Sequence, residues 1–401
     1  MNATPPVPND ILAETPSPPL PQVQRKTLMH RLWKARTSYV MLLAFFIPFV
    51  VFTILPLVAS AYLSMTDYSG ARTQEITFIG LDNFQELLGF EIAYAERRVD
   101  EETGELMYRC GRRYAMESEV EGYLADGTAC NPAYVDEDEV LPDDYRTVST
   151  HFSNNDGAYI FGASDARFWK ALSNTVLYTF YTVSLSVIVG LGLALALQQQ
   201  SILNMILRTI FFLPSVTAGV AITVVWGHLF RGAAHGLINS VILNLGGDVI
   251  EFLGNADWTL PIIIMLAVWG GAGYNMILFL AGLGNIPQEL YEAATVDGAG
   301  TFAKFRFITL PLLRPMTLFI VIIVIIGSFQ VFDVVYILFA DTNGGVGHIS
   351  DSALTIVSYL YERGFTNFGM GYASAMAWIL FVVIFIMTLI NLRLGRAGEA
   401  Y

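Results

Sequence analysis

Charge is what this sequence has least of. Lys, Arg, Asp and Glu make up 14% of its 401 residues, where a water-soluble domain carries about a quarter. Hydrophobic residues reach 54%, too many to be hidden inside a chain surrounded by water. Basic residues are scarcer than acidic ones, 22 against 35, giving a formal net charge of −13. That balance excludes a general nucleic-acid binder, since neutralising phosphates takes clustered Lys and Arg. Cysteine is limited to Cys110 and Cys130. Neither belongs to a Cys-x-x-Cys or Cys/His cluster of the kind that binds a metal, and the five histidines form no ligand constellation, so no metal site is expected. No G-x-x-x-x-G-K-[ST] phosphate loop occurs, so no nucleotide-hydrolysing site and no cofactor is expected in the chain itself. A cleavable signal peptide is not expected either, because the first apolar run, from about Tyr39, is too long for one.

What the sequence does have is long apolar runs. A bilayer core about 30 Å thick takes roughly 20 apolar residues per helix. Six stretches meet that length, at about 39–64, 171–197, 206–230, 259–284, 313–339 and 371–392. Pro48 and Pro56 fall in the first, where they can kink a helix without ending it. Residues 1–24 are rich in proline and read as a disordered tail. Arg25, Lys26, Arg31, Lys34 and Arg36 follow, and a basic cluster before a first span places that end in the cytoplasm. Six passes return the C-terminus to the same side. Arg208, Lys304, Arg306, Arg314, Arg393 and Arg396 then lie inside as well, with Arg231 outside as a minor exception. The expected organisation is a cytoplasmic tail over 1–38 and a first membrane helix within 39–66. An external insert over 67–168, five further membrane helices over 169–394 and a short cytoplasmic tail over 395–401 complete it.

The insert is strongly acidic and large enough for a small folded unit. Its opening stretch, Phe78 to Leu88, has the pattern of an amphipathic helix lying near the outer surface, or of a simple spacer helix. Cys110 and Cys130 are able to form a disulfide in an oxidising compartment. Two unpaired thiols is the other reading, since Cα separation is not legible in sequence.

A cytoplasmic loop at 285–311 interrupts the apolar pattern. Pro287 suits a helix start, Gln288 to Val296 are good helix formers, and Asp297-Gly298 is a turn signal. A second short helix is expected from about Thr301 to a point before Pro311. Within this loop Glu292-Ala293-Ala294 is followed after three residues by Gly298, and then after nine by Ile308-Thr309-Leu310-Pro311. A two-part motif at this fixed spacing resembles the signature loop of binding-protein-dependent ABC importer permeases. The likeness extends over most of residues 38–394. Phe211-Phe212-Leu213-Pro214, Ser173-Asn174-Thr175 and the run from Val268 to Pro287 are similar to the carbohydrate branch, that of the maltose and glycerol-3-phosphate permeases.

The resemblance implies an all-α, six-helix permease of the type I ABC importer class, with a periplasmic insert between helices 1 and 2. It implies a bacterial inner-membrane location with both termini cytoplasmic. Its partners would be a second, related permease, two ATPase subunits that bind ATP and Mg, a periplasmic solute-binding protein and membrane lipid. The chain would then be a translocation pore and not an enzyme. The loop would be a coupling helix that enters a groove on the ATPase. Glu292 would anchor it through a charge-assisted bond, Ala293 and Ala294 would allow close approach, and Asp297, Gly298, Leu310 and Pro311 would complete the element. In the larger maltose permease a periplasmic insert at the equivalent place engages the binding protein, which is the expected role here.

Polar groups inside spans mark candidate cargo contacts, because their burial is costly. The fourth span offers Gly271, Tyr274 and Asn275, and the fifth offers Gln330 and Asp333. Aromatic rings that stack on sugars, beside amides and carboxylates that hydrogen-bond to them, suit a carbohydrate. The other reading of Gly270, Gly271 and Gly273 is helix packing. Trp226 and His228 read as interfacial. No Arg or Lys is expected in the cavity, which favours a neutral sugar over a phosphate. Two rivals are an ABC permease for an amino acid, peptide or oxyanion, and a secondary transporter, which would need intramembrane coupling acids.

Overall fold

The computed structural model describes residues 36–70, 75–100, 103–111, 113–125, 128, 130–134, 140–142, 144–151, 157–232, 236–339 and 351–396. The proline-rich tail and the basic residues Arg25, Lys26, Arg31 and Lys34 lie outside these residues, as does the tail from 397.

The first span begins as a helix at Arg36–Phe49, widens into a π turn at Val50–Ile54 and resumes at Leu55–Leu63. The π turn closes with the Leu55 N–H donating to the Val50 carbonyl, one residue before Pro56. A proline ring clashes with the carbonyl four residues back and brings no N–H of its own. A widened turn just ahead of it absorbs that clash within a continuous helix.

Among the described residues, the insert adds to the expected all-helical membrane part six strands whose fold the sequence left open. One antiparallel sheet has the order β1-β6-β5, with β1 at Phe90–Glu96, β5 at Arg146–His151 and β6 at Gly157–Ala163. The other has the order β3-β2-β4, with β2 at Met107–Cys110, β3 at Arg113–Met116 and β4 at Cys130–Pro132. Strand β1, FEIAYAE, alternates with a period of two. Its Ala95 joins Ala158 and Ile160 of β6 in a buried core with Tyr134 and Leu141. Cys110 and Cys130 are opposed in the β2–β4 register and are joined as a disulfide, with their Cα atoms 4.0 Å apart. The helix expected over Phe78 to Leu88 is confined to Asp82–Leu88, and Phe78 instead bridges Thr66 as extended chain. That helix folds back on the bundle. Leu87 is fully buried with Phe168, and the Asn83 amide donates to the carbonyls of Ser64 and Thr66 at 2.9 and 3.0 Å. Those bonds cover carbonyls left open where the first span ends.

The remaining spans are Ala166–Leu197, the pair Ile202–Val216 and Gly219–Leu229, Ala256–Gly284, Arg314–Phe339 and Met370–Arg393. The third is not the single rod expected over 206–230. It bends by 97° at Thr217-Ala218, three residues beyond Pro214, which lies in its first half. It still crosses, as packing shows. Tyr178 early in the second span meets Ile263 and Ile264 early in the fourth. Ala194 and Leu197 at the end of the second meet Met276 and Phe279 near the end of the fourth. The second and fourth spans are therefore parallel, and the bent pair must carry the chain back between them. The fifth runs the other way, from Leu313 and Ile320 beside Phe279 to Phe339 beside Ile263. All five thus alternate between an end that carries the insert and an end that carries the 285–311 loop.

A polar clamp holds the insert end together. The Asp165 carboxylate caps the second span, accepting from the Phe168 amide at 2.9 Å. Its other oxygen accepts from the hydroxyls of Tyr359 and Tyr372 at 2.7 and 2.6 Å. Arg167 makes two bonds to Asp351, at 3.0 and 2.9 Å, and two to Glu362, at 2.6 and 3.2 Å. Burial, with the adjacent Asp165 charge, pushes the Tyr359 phenol well above its ordinary range.

Candidate functional site

The loop end carries a compact two-helix element. Its first helix is Gln288–Val296, with Pro287 at the N-cap, matching the helix read from the sequence. The helix ends in a Schellman turn: Ala299 N–H donates to the Ala294 carbonyl at 2.8 Å, and Gly298 N–H to the Thr295 carbonyl at 3.1 Å. This turn puts Gly298 at φ +79°, in the left-handed region, and open space surrounds the position of an added Cβ. Gly298 is therefore required by conformation and not by crowding. The second helix corrects the expected stop before Pro311. It runs Thr301–Lys304, widens into a π turn at Phe305–Thr309 and resumes at Leu310–Leu312. As in the first span, the π turn closes on the residue just before a proline, with Leu310 N–H donating to the Phe305 carbonyl.

Two side-chain bonds staple the helices. The Tyr291 and Thr309 hydroxyls are 2.9 Å apart, and Lys304 Nζ donates to Thr295 Oγ1 at 2.7 Å. Leu313 anchors the element beneath. It is buried, and a methyl group at Gly282 would lie 2.9 Å from its Cδ2. Glu292, Ala293, Asp297, Leu310 and Pro311 are exposed, and Ala294 is half-buried. The Glu292 carboxylate accepts from Gln288 Nε2 at 3.0 Å, which orients it along the helix. The same element exposes apolar side chains that sequence reasoning passed over: Val296 is 88% exposed, Phe302 77% and Phe307 75%. Their signal was available, as bulky apolar residues in a polar loop. An element that exposes the carboxylates of Glu289, Glu292 and Asp297 together with large apolar groups has the make-up of a docking surface.

The cargo candidates fall into two groups. In the fourth span Tyr274 is 44% exposed. Asn275 is buried, wedged against the second span at Gly190, where a methyl group would come 2.8 Å from its Cβ. Its amide lies over Gly271, with Nδ2 3.7 Å from the position of an added Cβ. The glycines separate by role. Gly273 is a packing residue, since a methyl there would overlap the Phe211 carbonyl of the third span, whereas nothing lies within 4 Å at Gly270. In the fifth span Gln330 and Asp333 are both exposed and flank a break in the helix between Phe329 and Asp333. A broken helix with polar side chains at the gap offers both backbone and side-chain hydrogen bonds to a solute. An aromatic series missed in the sequence begins at the same break. Phe332 and Tyr336 stack at 5.2 Å, Tyr361 lies 5.0 Å from Phe332, and Phe365 stacks on Tyr361 at 5.2 Å. Trp226 stacks on Phe230 and meets Trp269 edge-on at 5.4 Å, in a separate aromatic group.

Comparison with known proteins agrees with this architecture. Residues 186–397 match the family described as binding-protein-dependent transport system inner membrane component. The arabinooligosaccharides transport system permease protein AraP of Bacillus subtilis is 37% identical over 233 residues, covering 58% of this chain and 73% of that one. The trehalose/maltose transport system permease protein MalF of Thermococcus litoralis is 34% identical, covering 59% and 78%. The lactose transport system permease protein LacF of Rhizobium radiobacter is 32% identical, covering 58% and 78%. The fold is similar to a chain in the crystal structure of a bacterial ABC transporter involved in the import of the acidic polysaccharide alginate. That match has a TM-score of 0.63 at 20% identity and covers 93% of this chain and 99% of the other. Coverage that high takes in most of the insert as well as the spans. With five to six candidate spans, the stapled two-helix loop and these relatives together, the chain belongs to the binding-protein-dependent transport system inner membrane components, the membrane-spanning permeases of ABC importers.

Proposed function

We propose that this permease carries a carbohydrate into the cytoplasm by alternating access, driven by ATP hydrolysis on separate subunits that dock on the 288–312 element. The exposed Glu292, on a stapled scaffold that also exposes Val296, Phe302 and Phe307, is the observation that carries the docking assignment. ATP and Mg belong in this reading to the docked ATPase pair. A second, related permease completes the pore, and a solute-binding protein delivers the cargo at the insert end.

The orientation rests on charge. Arg208, Lys304, Arg306, Arg314, Arg393 and Arg396 all fall at the loop end of the spans, which supports placing that end in the cytoplasm. The disulfide lies in the insert, which suits an oxidising external compartment. A carbohydrate cargo is supported by the named substrates of the relatives. It is also supported by Gln330 and Asp333 beside the Phe332–Tyr336–Tyr361 aromatic group, which pairs hydrogen-bonding groups with ring faces.

The test is ATP turnover by the assembled transporter in liposomes. Glu292→Ala removes the carboxylate and leaves the Schellman turn in place. Cargo-stimulated hydrolysis and uptake should fall about tenfold or more, as expected for losing one charged contact of about 1.5–3 kcal/mol, with membrane insertion unchanged. Normal stimulated turnover in this variant would remove the docking assignment.

A further inference from the structure

The sheet β1-β6-β5 buries one face and leaves the other apolar and uncovered. On β1, Phe90 is 54% exposed and Ile92 61%, and on β6 Tyr159 is 51% exposed. Phe90, Phe161 and Trp169 form a mutual ring cluster with centroids 5.4–5.7 Å apart. Trp169 belongs to the first turn of the second span, so this face meets the span where it enters the bilayer. A pocket of about 700 Å³ opens there, walled by Ile92, Tyr159, Phe161, Trp169, Lys170 and Ser173. Lys170 is exposed, and no carboxylate among the described residues pairs with it. The Trp169 indole N–H is shielded and finds no acceptor.

The pocket is continuous with a membrane-facing strip. Below Ser173 on the same helix, Val176 is 42% exposed, Leu177 45% and Phe180 64%. From Lys170 to Phe180 the helix rises about 15 Å, the depth of one leaflet of a hydrocarbon core about 30 Å thick. A cation at the interface, an aromatic wall beside it and an apolar strip one leaflet deep match the parts of a phospholipid. A sugar would leave the strip unused.

We propose that this pocket holds the headgroup of a glycerophospholipid from the insert-side leaflet, with Lys170 on its phosphate and one acyl chain along Val176, Leu177 and Phe180. The site ties the insert to the membrane surface and fixes its height at the mouth of the second span. It rests on the membrane placement proposed above, and lipid retention is read without any transport step, so the two fail separately.

Native mass spectrometry of the full chain in its complex, titrated with phosphatidylglycerol, provides the test. Lys170→Gln should weaken the tightest lipid site about fivefold, the value of one lysine near a lipid phosphate, and Lys170→Arg should retain it. Unchanged retention in Lys170→Gln overturns the proposal. A photoreactive residue at Ser173, with Lys170 intact, should give a phospholipid adduct in membranes. A crosslink to another protein subunit, or no lipid adduct, overturns it equally.

Discussion

Replacing Gly298 isolates backbone conformation from contact. The residue stands at φ +79°, and no atom lies within 4 Å of an added Cβ, so a side chain meets no steric obstacle. What remains is the cost of holding an L-residue in the left-handed region, about 1–2 kcal/mol. At about 1.4 kcal/mol per factor of ten, Gly298→Ala shifts the closed turn toward an open one by roughly tenfold. Gly298→Val costs more, because a β-branched side chain is a true outlier there. Gly298→Asn costs least, since Asn visits this region readily. The first assay is hydrogen exchange at the Ala299 amide, whose bond to the Ala294 carbonyl closes the turn. The second is cargo-stimulated ATP turnover. Both should rank glycine, asparagine, alanine, valine, with exchange rising as turnover falls. Wild-type exchange and turnover in Gly298→Val would refute the claim that this turn sets the shape of the docking element.

Three further outcomes follow from the clamp and the cargo candidates. Asp165→Ala removes a helix cap worth about 1 kcal/mol and strands the buried Tyr359 and Tyr372 hydroxyls at about 1–3 kcal/mol each. Thermal unfolding in detergent should therefore drop by several degrees, with Asp165→Asn intermediate. The Tyr359 phenol is raised above its unfolded value near 10, so its contribution is complete below that pH and is lost as pH climbs past it. Melting temperature should fall between pH 9.5 and 11 at rates set by about one proton, and Tyr359→Phe should flatten that decline. Gln330→Ala takes one hydrogen-bonding side chain from the break in the fifth span. The KM for cargo uptake should rise about fivefold for about 1 kcal/mol lost, with basal ATP turnover unchanged.

Run length was enough to read most of the spans, and local turn chemistry was enough to read the first helix of the 285–311 loop. Gln288–Val296 begins and ends where its proline and its Asp-Gly pair put it, because those signals act within a few residues. The bend in the third span was not legible. Apolar composition continues through Thr217 and Ala218, and hydropathy measures how long a run is without fixing its direction. The clamp was hidden for a different reason. Arg167 meets Asp351 and Glu362 across 184 and 195 residues of sequence, so its partners are set by packing alone. Asp165 did carry a local sign, an N-cap residue ahead of an apolar run. The aromatic group at the fifth-span break joins Phe332 and Tyr336 to Tyr361, from a separate helix that shows no apolar run of spanning length.

Leu313 in its notch at Gly282 packs the end of the 288–312 element directly against the fourth span and the start of the fifth. The fifth span then continues unbroken over Arg314–Phe329, 16 residues or about 24 Å of stiff rod, before it breaks at Gln330. A tilt of about 10° at the docking end swings the far tip by roughly 4 Å over that length. If a partner docks at Glu292 as proposed, its push would be felt as a stroke at Gln330 and Asp333, where the rod breaks.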